Sequence, residues 1–175
     1  MKDCEFLLNQ DGVLLLAVPD KRYIFDAMRP HSTLGEIWQA HAEKRTRHPP
    51  SKHFDFQAYG VARGGGVIWA PQHDSELRLL HDVSQAQAIY DQVSSSPDYA
   101  DIHGWVFVPA SFRLIMRDLA ELGVISLKEV QWSPDGPEFY ISFSRSAIDS
   151  DNSRAQLLEL TLSELYDVKN IWADT

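Results

Sequence analysis

Cysteine is nearly absent. Cys4 stands alone in a chain of 175 residues, which excludes an intramolecular disulfide framework and any cysteine-rich zinc site. A reducing compartment, and with it a cytoplasmic location, is the expectation. Basic charge is scarce as well. Sixteen Lys and Arg against 25 Asp and Glu leave a formal charge of −9, whereas nucleic acids and anionic membrane surfaces select basic patches. The longest apolar run, Val13 to Val18, falls far short of a bilayer span. The opening MKDCEFLLNQDG has none of the charged, apolar and small-residue zones of a signal peptide. With 44% hydrophobic and 23% charged residues, the composition is that of a globular chain with a real core. The expectation is one domain over residues 1–175, with neither nucleic acid nor membrane as a partner.

Several catalytic signatures are also missing. The seven histidines, at 31, 41, 48, 53, 73, 81 and 103, form no His-Glu-x-x-His motif and have no cysteine at ligand spacing. His53 and Asp55 could share a ligand, as could any two polar loop residues, so no metal site is expected. No Gly-x-Ser-x-Gly occurs, and Cys4 has no activating neighbourhood. Gly64-Gly65-Gly66 precedes VIWAP rather than a helix, which predicts a hairpin turn or a flexible loop and not a phosphate-cradling loop.

What is present reads as alternating strands and helices. Asp11-Gly12 is a turn, and Val13–Val18, bounded by Gly12 and Pro19, predicts a strand buried on both faces in a parallel sheet. Thr33 and Glu36 have capping-box spacing, so a helix starts there, with Ile37, Trp38 and His41 following and Pro49-Pro50 ending the element. Lys44, Arg45 and Arg47 fall where they complement that helix's dipole. Residues 51–74 look irregular. A second helix is predicted from Asp74 to about Val93, with Leu77, Leu80, Ile89 and Val93 inward. The third is the clearest: Phe112, Ile115, Met116, Leu119 and Leu122 repeat at helical spacing, Ser111 is the expected N-cap, and Gly123 the left-handed cap. A strand over Val124–Trp132, a turn in SPDGP and the strict alternation from Phe139 to Ser144 predict an antiparallel hairpin. Leu157, Leu158, Leu162 and Leu165 mark a final amphipathic helix from Asp151 to Tyr166.

Two clusters carry possible chemistry. Asp20-Lys21-Arg22 follows the first strand, at the carboxyl end where ligand crevices of open α/β sheets lie. Either it faces a ligand, or Asp20 caps a turn and the two cations are solvated. Asp26, Arg29 and His31 are close enough in sequence to join the same wall. His103, between Asp101 and Trp105, is the candidate general base, because histidine as a residue type titrates near neutrality. The competing role is a structural hydrogen bond.

The order of these pieces resembles one family. LLNQDGVLLLAVPDKRYIFD looks like the fifth strand of class I S-adenosylmethionine-dependent methyltransferases with its preceding turn, in a bacterial subgroup whose strand ends in Pro-Asp-Lys-Arg-Tyr. Asn9-Gln10-Asp11-Gly12 replaces the more usual Leu-Lys-Pro-Gly-Gly. RPHSTLGE, RTRH, DIHGWVFVPASF and LAELGVISLKEV are similar to the same subgroup, whose members occur alone or joined to glycosyltransferases. The closing strand and FYISFSR look like the sixth and seventh strands, the seventh antiparallel. The resemblance covers about residues 5–146.

The resemblance implies an α/β fold class: a partial Rossmann-like methyltransferase fold of strands five to seven with an antiparallel carboxyl-terminal hairpin, plus a helical insertion. It divides the chain into a strand-five region at 1–23, an insertion on the substrate side at 24–109, a helix and hairpin at 110–146, and a helix and tail at 147–175. It further implies methyl transfer to an oxygen or nitrogen acceptor, with Asp20, Lys21, Arg22 and Arg29 at the acceptor and His103 as base. The family's glycine-rich cofactor loop lies before strand five, and no Gly-x-Gly pattern of that kind occurs here. Cofactor-binding residues are therefore unassigned. S-adenosylmethionine is expected only with the missing half, and none for this chain alone, which is expected to be inactive by itself. A strand five without its neighbour exposes an edge and an apolar patch. Partners are then a second copy of the chain or a chain supplying the other half. A non-catalytic partner-binding module of the same fold is the alternative, and a shortened reading frame would give the same sequence.

Overall fold

The computed structural model describes residues 1–70, 74–148 and 151–166. In chain order the elements are α1 (Lys2–Leu7), β1 (Val13–Pro19), a 3₁₀ turn (Lys21–Tyr23), α2 (Leu34–Ala42), α3 (Pro50–Ala58), β2 (Val61–Arg63), β3 (Leu77–Leu79), α4 (Val83–Ser95), α5 (Pro109–Glu121), β4 (Lys128–Asp135), β5 (Glu138–Ser144) and α6 (Arg154–Tyr166). The class is α/β, with one antiparallel sheet of three strands and one of two. Among the described residues no helix is long and apolar enough to cross a membrane. The chain forms two compact units, residues 1–20 with 107–175, and residues 21–106.

The first unit is built on the sheet β1-β5-β4, in which β5 runs antiparallel to both neighbours. The alternation in β5 is the reason for its core. Phe139, Ile141 and Phe143 are buried on one face while Tyr140 is exposed on the other. Phe112 of α5 meets the rings of Phe139 and Phe143 at 5.8 and 6.3 Å, edge-on in both cases. Gly136, with φ 62°, supplies the turn between β4 and β5. Gly123 takes φ 69° after α5, as its sequence position predicts. Pro109 is the first residue of α5 and Val108 its N-cap. Ser111 is therefore not the cap: its hydroxyl lies one turn in and bonds both the N–H and the carbonyl of Val108. In α6, Leu157 and Thr161 face inward, whereas Leu158 and Leu162 are exposed.

β1 departs from its expectation. Val18 is buried, but Val13 is 57% and Leu15 65% exposed, so the strand alternates and is not covered on both faces. A continuous apolar run says nothing about which face is covered. Its neighbour is also antiparallel, and a single parallel bridge, Asp20 to Phe107, follows its end.

The second unit holds the pair β2-β3 and helices α2, α3 and α4. The capping box of α2 forms as spaced: Thr33 Oγ1 accepts from the Glu36 N–H at 3.3 Å, and Glu36 Oε2 accepts from the Thr33 N–H at 3.0 Å. Residues 51–74, expected to be irregular, are so only in part: among the described residues 51–58 are helical and 61–63 form a strand. Pro49-Pro50 opens α3, with Pro50 at the first helical position where its missing N–H costs nothing, and β2 follows. The helix expected from Asp74 instead begins at Val83, since Asp82 and Gln85 form a second capping box. Leu77–Leu79 pairs with β2 as a strand. Of the two forms expected of the triple glycine, a hairpin turn or a flexible loop, it takes the hairpin: Gly64 and Gly65 have φ 56° and 82°, and Arg63 and Gly66 exchange both backbone hydrogen bonds. The expected residue His73 lies outside the described residues.

Candidate functional site

In the second unit, residues 77 positions apart meet through backbone pairing. The Phe25 N–H donates to Val67, the Val61 N–H to the Phe25 carbonyl, and the Trp69 N–H to Tyr23, which fixes the segment 23–25 beside the glycine hairpin and β2. A turn follows, with the Ala27 N–H bonded to Ile24 and the Arg29 N–H to Asp26. Lys21 is buried and its ammonium donates to the Ala27 carbonyl at 2.6 Å, clasping that turn. Further along, the Ser32 N–H bonds Val106, and the Val106 N–H bonds the Ser32 hydroxyl at 3.0 Å. This second clasp brings the segment around His103 against the turn.

The result is a three-residue site. Asp26 is 1% exposed and uses both carboxylate oxygens. Oδ1 accepts from Arg29 Nη1 at 2.6 Å, and Oδ2 lies 2.8 Å from His103 Nδ1. Arg29 Nη1 also donates to the His103 carbonyl at 2.6 Å, so the arginine holds both the carboxylate and the histidine backbone. A carboxylate only accepts, so Nδ1 carries the imidazole proton and the lone pair of the neutral ring is on Nε2. The His103 side chain is 44% exposed while Asp26 and Arg29 are sealed. Phe25 lies 4.8 Å from the His103 ring, and Phe56 sits under the Arg29 guanidinium at 5.6 Å. A buried acid that orients an exposed imidazole is an arrangement able to accept a proton from a bound hydroxyl or amine.

Of the expected site residues, the structure brings Arg29 and His103 into direct contact. Asp26, which the sequence offered only as a possible member of the same wall, is the group that joins them. Lys21 supports the turn, and Arg22 lies over the Tyr23 ring at 5.2 Å while its carbonyl accepts from the Trp69 indole. Asp20 belongs to the first unit, where it is buried and donates its N–H to Pro137. His31 lies near Lys21 and Glu36; burial first, then Lys21, hold it below its ordinary value against the pull of Glu36. Among the described residues no three His, Cys, Asp or Glu side chains converge on a metal position. The triple glycine turns a hairpin between Arg63 and Gly66 and opens no helix, so it does not fit the loop that would cradle S-adenosylmethionine.

No protein-family model, curated protein or solved structure matches this chain.

Proposed function

We propose that this chain is a methyltransferase-like protein carrying the acceptor side of an S-adenosylmethionine-dependent methyltransferase, with the donor held by residues of another segment or chain. The observation that carries the reading is the Asp26–His103 pair, with Arg29 behind it and the His103 side chain 44% exposed. His103 takes the proton of an oxygen or nitrogen acceptor, Asp26 balances the imidazolium that forms, and Arg29 keeps the carboxylate in place. The partial Rossmann-like reading is supported by β5 running antiparallel to both neighbours, as its likeness to a seventh strand implies. Lys21 and Arg22, in the same unit as His103, remain assigned to the acceptor side on that likeness alone. The test is add-back: extract of the source cells lacking this chain, labelled S-adenosylmethionine, and purified wild type or His103→Ala. Label incorporated with wild type and lost with the variant is the expected result. Equal incorporation with both overturns the role of His103, and none with either overturns methyl transfer.

A second reading, a non-catalytic module that pairs with its own copy, rests on a different observation. Val13 and Leu15 are exposed on β1, which is an edge strand, and Phe6 and Leu7 of the same unit are 85% and 81% exposed. Edge-to-edge pairing of two β1 strands would satisfy their open backbone groups and set the exposed Val13 and Leu15 of the two copies side by side. Sedimentation should then show a concentration-dependent dimer that Leu15→Lys disrupts. A strict monomer over a wide concentration range removes this reading.

A further inference from the structure

The second unit also contains a cavity of about 210 Å³ whose walls include Arg45, Arg47, His48, Lys52, Tyr99 and Trp105. It is linked to the Asp26–His103 pair through consecutive residues. His103 belongs to the pair, Gly104 packs beneath the His48 ring, and Trp105 lines the cavity. Three lining side chains are cations and none is a carboxylate, in a chain whose formal charge is −9. Arg45 pairs with Glu43 and Lys52 with Glu36, both outside the lining. Arg47 donates to the Ser96 carbonyl at 2.6 Å and, among the described residues, has no acidic partner. Asp101, which accepts from the Tyr99 hydroxyl, is the acidic group that acts on His48.

The opposite character comes from three rings. Tyr99 and Trp105 lie 6.1 and 6.5 Å from His48, and the Lys52 ammonium sits 5.3 Å from the Trp105 ring centre. A flat organic group stacks on such walls. The amino end of α3 adjoins the cavity at Pro49 without a side-chain cap, which adds positive potential on the cationic side. The volume equals roughly seven water molecules, room for an anionic head and one small ring.

We propose that this cavity binds a phosphate monoester of a small aromatic or otherwise flat compound. The phosphate lies against Arg45, Arg47 and Lys52, and the body lies against His48, Tyr99 and Trp105. The site stands independently of methyl transfer, since it requires neither a donor nor turnover.

The test is calorimetric titration of the full chain with phenyl phosphate, inorganic phosphate and phenol. Phenyl phosphate is expected to saturate a single site and to bind about tenfold or more tighter than inorganic phosphate, with no saturable heat from phenol. Arg47→Ala, an exposed side chain with one backbone hydrogen bond, should weaken phenyl phosphate about tenfold. Arg78→Ala, an arginine 81% exposed and outside the lining, should leave it unchanged. Trp105→Leu should remove the preference over inorganic phosphate. No saturation, equal affinity for phenyl and inorganic phosphate, or equal losses in the Arg47 and Arg78 variants would each overturn the proposal.

Discussion

Replacing Gly104 with alanine tests the packing behind both sites, because its effect turns on one neighbour. A Cβ at residue 104 would stand 2.1 Å from Cε1, 2.3 Å from Nδ1 and 2.7 Å from Nε2 of His48. The ring must move. His48 is half-buried with its ring near those of His53, Tyr99 and Trp105, so moving it disturbs three neighbours. Overpacking of this kind costs about 1–3 kcal/mol. The backbone itself raises no objection, since Gly104 is not among the residues with positive φ. Without the clash, alanine would stabilise by about 0.4–1 kcal/mol through the lost freedom of the unfolded chain. The sign therefore depends on His48. Urea unfolding should show Gly104→Ala destabilising by about 1–3 kcal/mol in the wild-type background. In a His48→Ala background the same change should be neutral or stabilising. Equal costs in the two backgrounds would refute the contact as the cause.

Three other outcomes are expected. Asp26→Ala leaves the Arg29 charge buried without its carboxylate and should cost about 3–5 kcal/mol, with part of the loss restored by adding Arg29→Met; a cost below about 1 kcal/mol in urea unfolding contradicts the burial of the pair. Burial holds His31, His48 and His53 below the ordinary 6.5, helped by Lys21 at His31, by Lys52 and Arg29 at His48 against Asp101, and by His48 at His53. The unfolded chain then takes up protons first, so stability falls as pH drops below about 6.5 and levels off beneath the folded values; an unfolding midpoint unchanged from about pH 7.5 to about 5.5 contradicts this. Phe139→Ala should cost about 3–5 kcal/mol and Tyr140→Ala about 0.5 kcal/mol or less, because only the first ring is fully buried; similar costs would contradict the facing of β5.

The elements legible in the sequence are those whose signal is local. Thr33 with Glu36, the helical spacing of Phe112, Ile115, Met116 and Leu119, and the alternation of Phe139, Ile141 and Phe143 each announce an element within a few residues. α3 was not legible, because SKHFDFQA has no apolar stripe and buries only His53 fully. β3 is three residues long, too short to show a period. Arg29 and His103 drew attention by residue type, but their meeting depends on Ser32 and Val106 bonding across 74 positions, which leaves no local mark. Lys21 shows the same limit, since a lysine between charged residues reads as solvated and here closes a buried turn. The RTRH cluster reads as a helix ending, and only the fold of residues 96–105 sets aromatic rings against it.

The proton on the His103 ring is the most direct observable of the proposed site. Nitrogen-15 NMR of the neutral imidazole should find it on Nδ1, toward Asp26 Oδ2 at 2.8 Å, with Nε2 as the bare acceptor. A ring protonated on Nε2 would turn its bare nitrogen to Asp26 and would contradict the role assigned to His103.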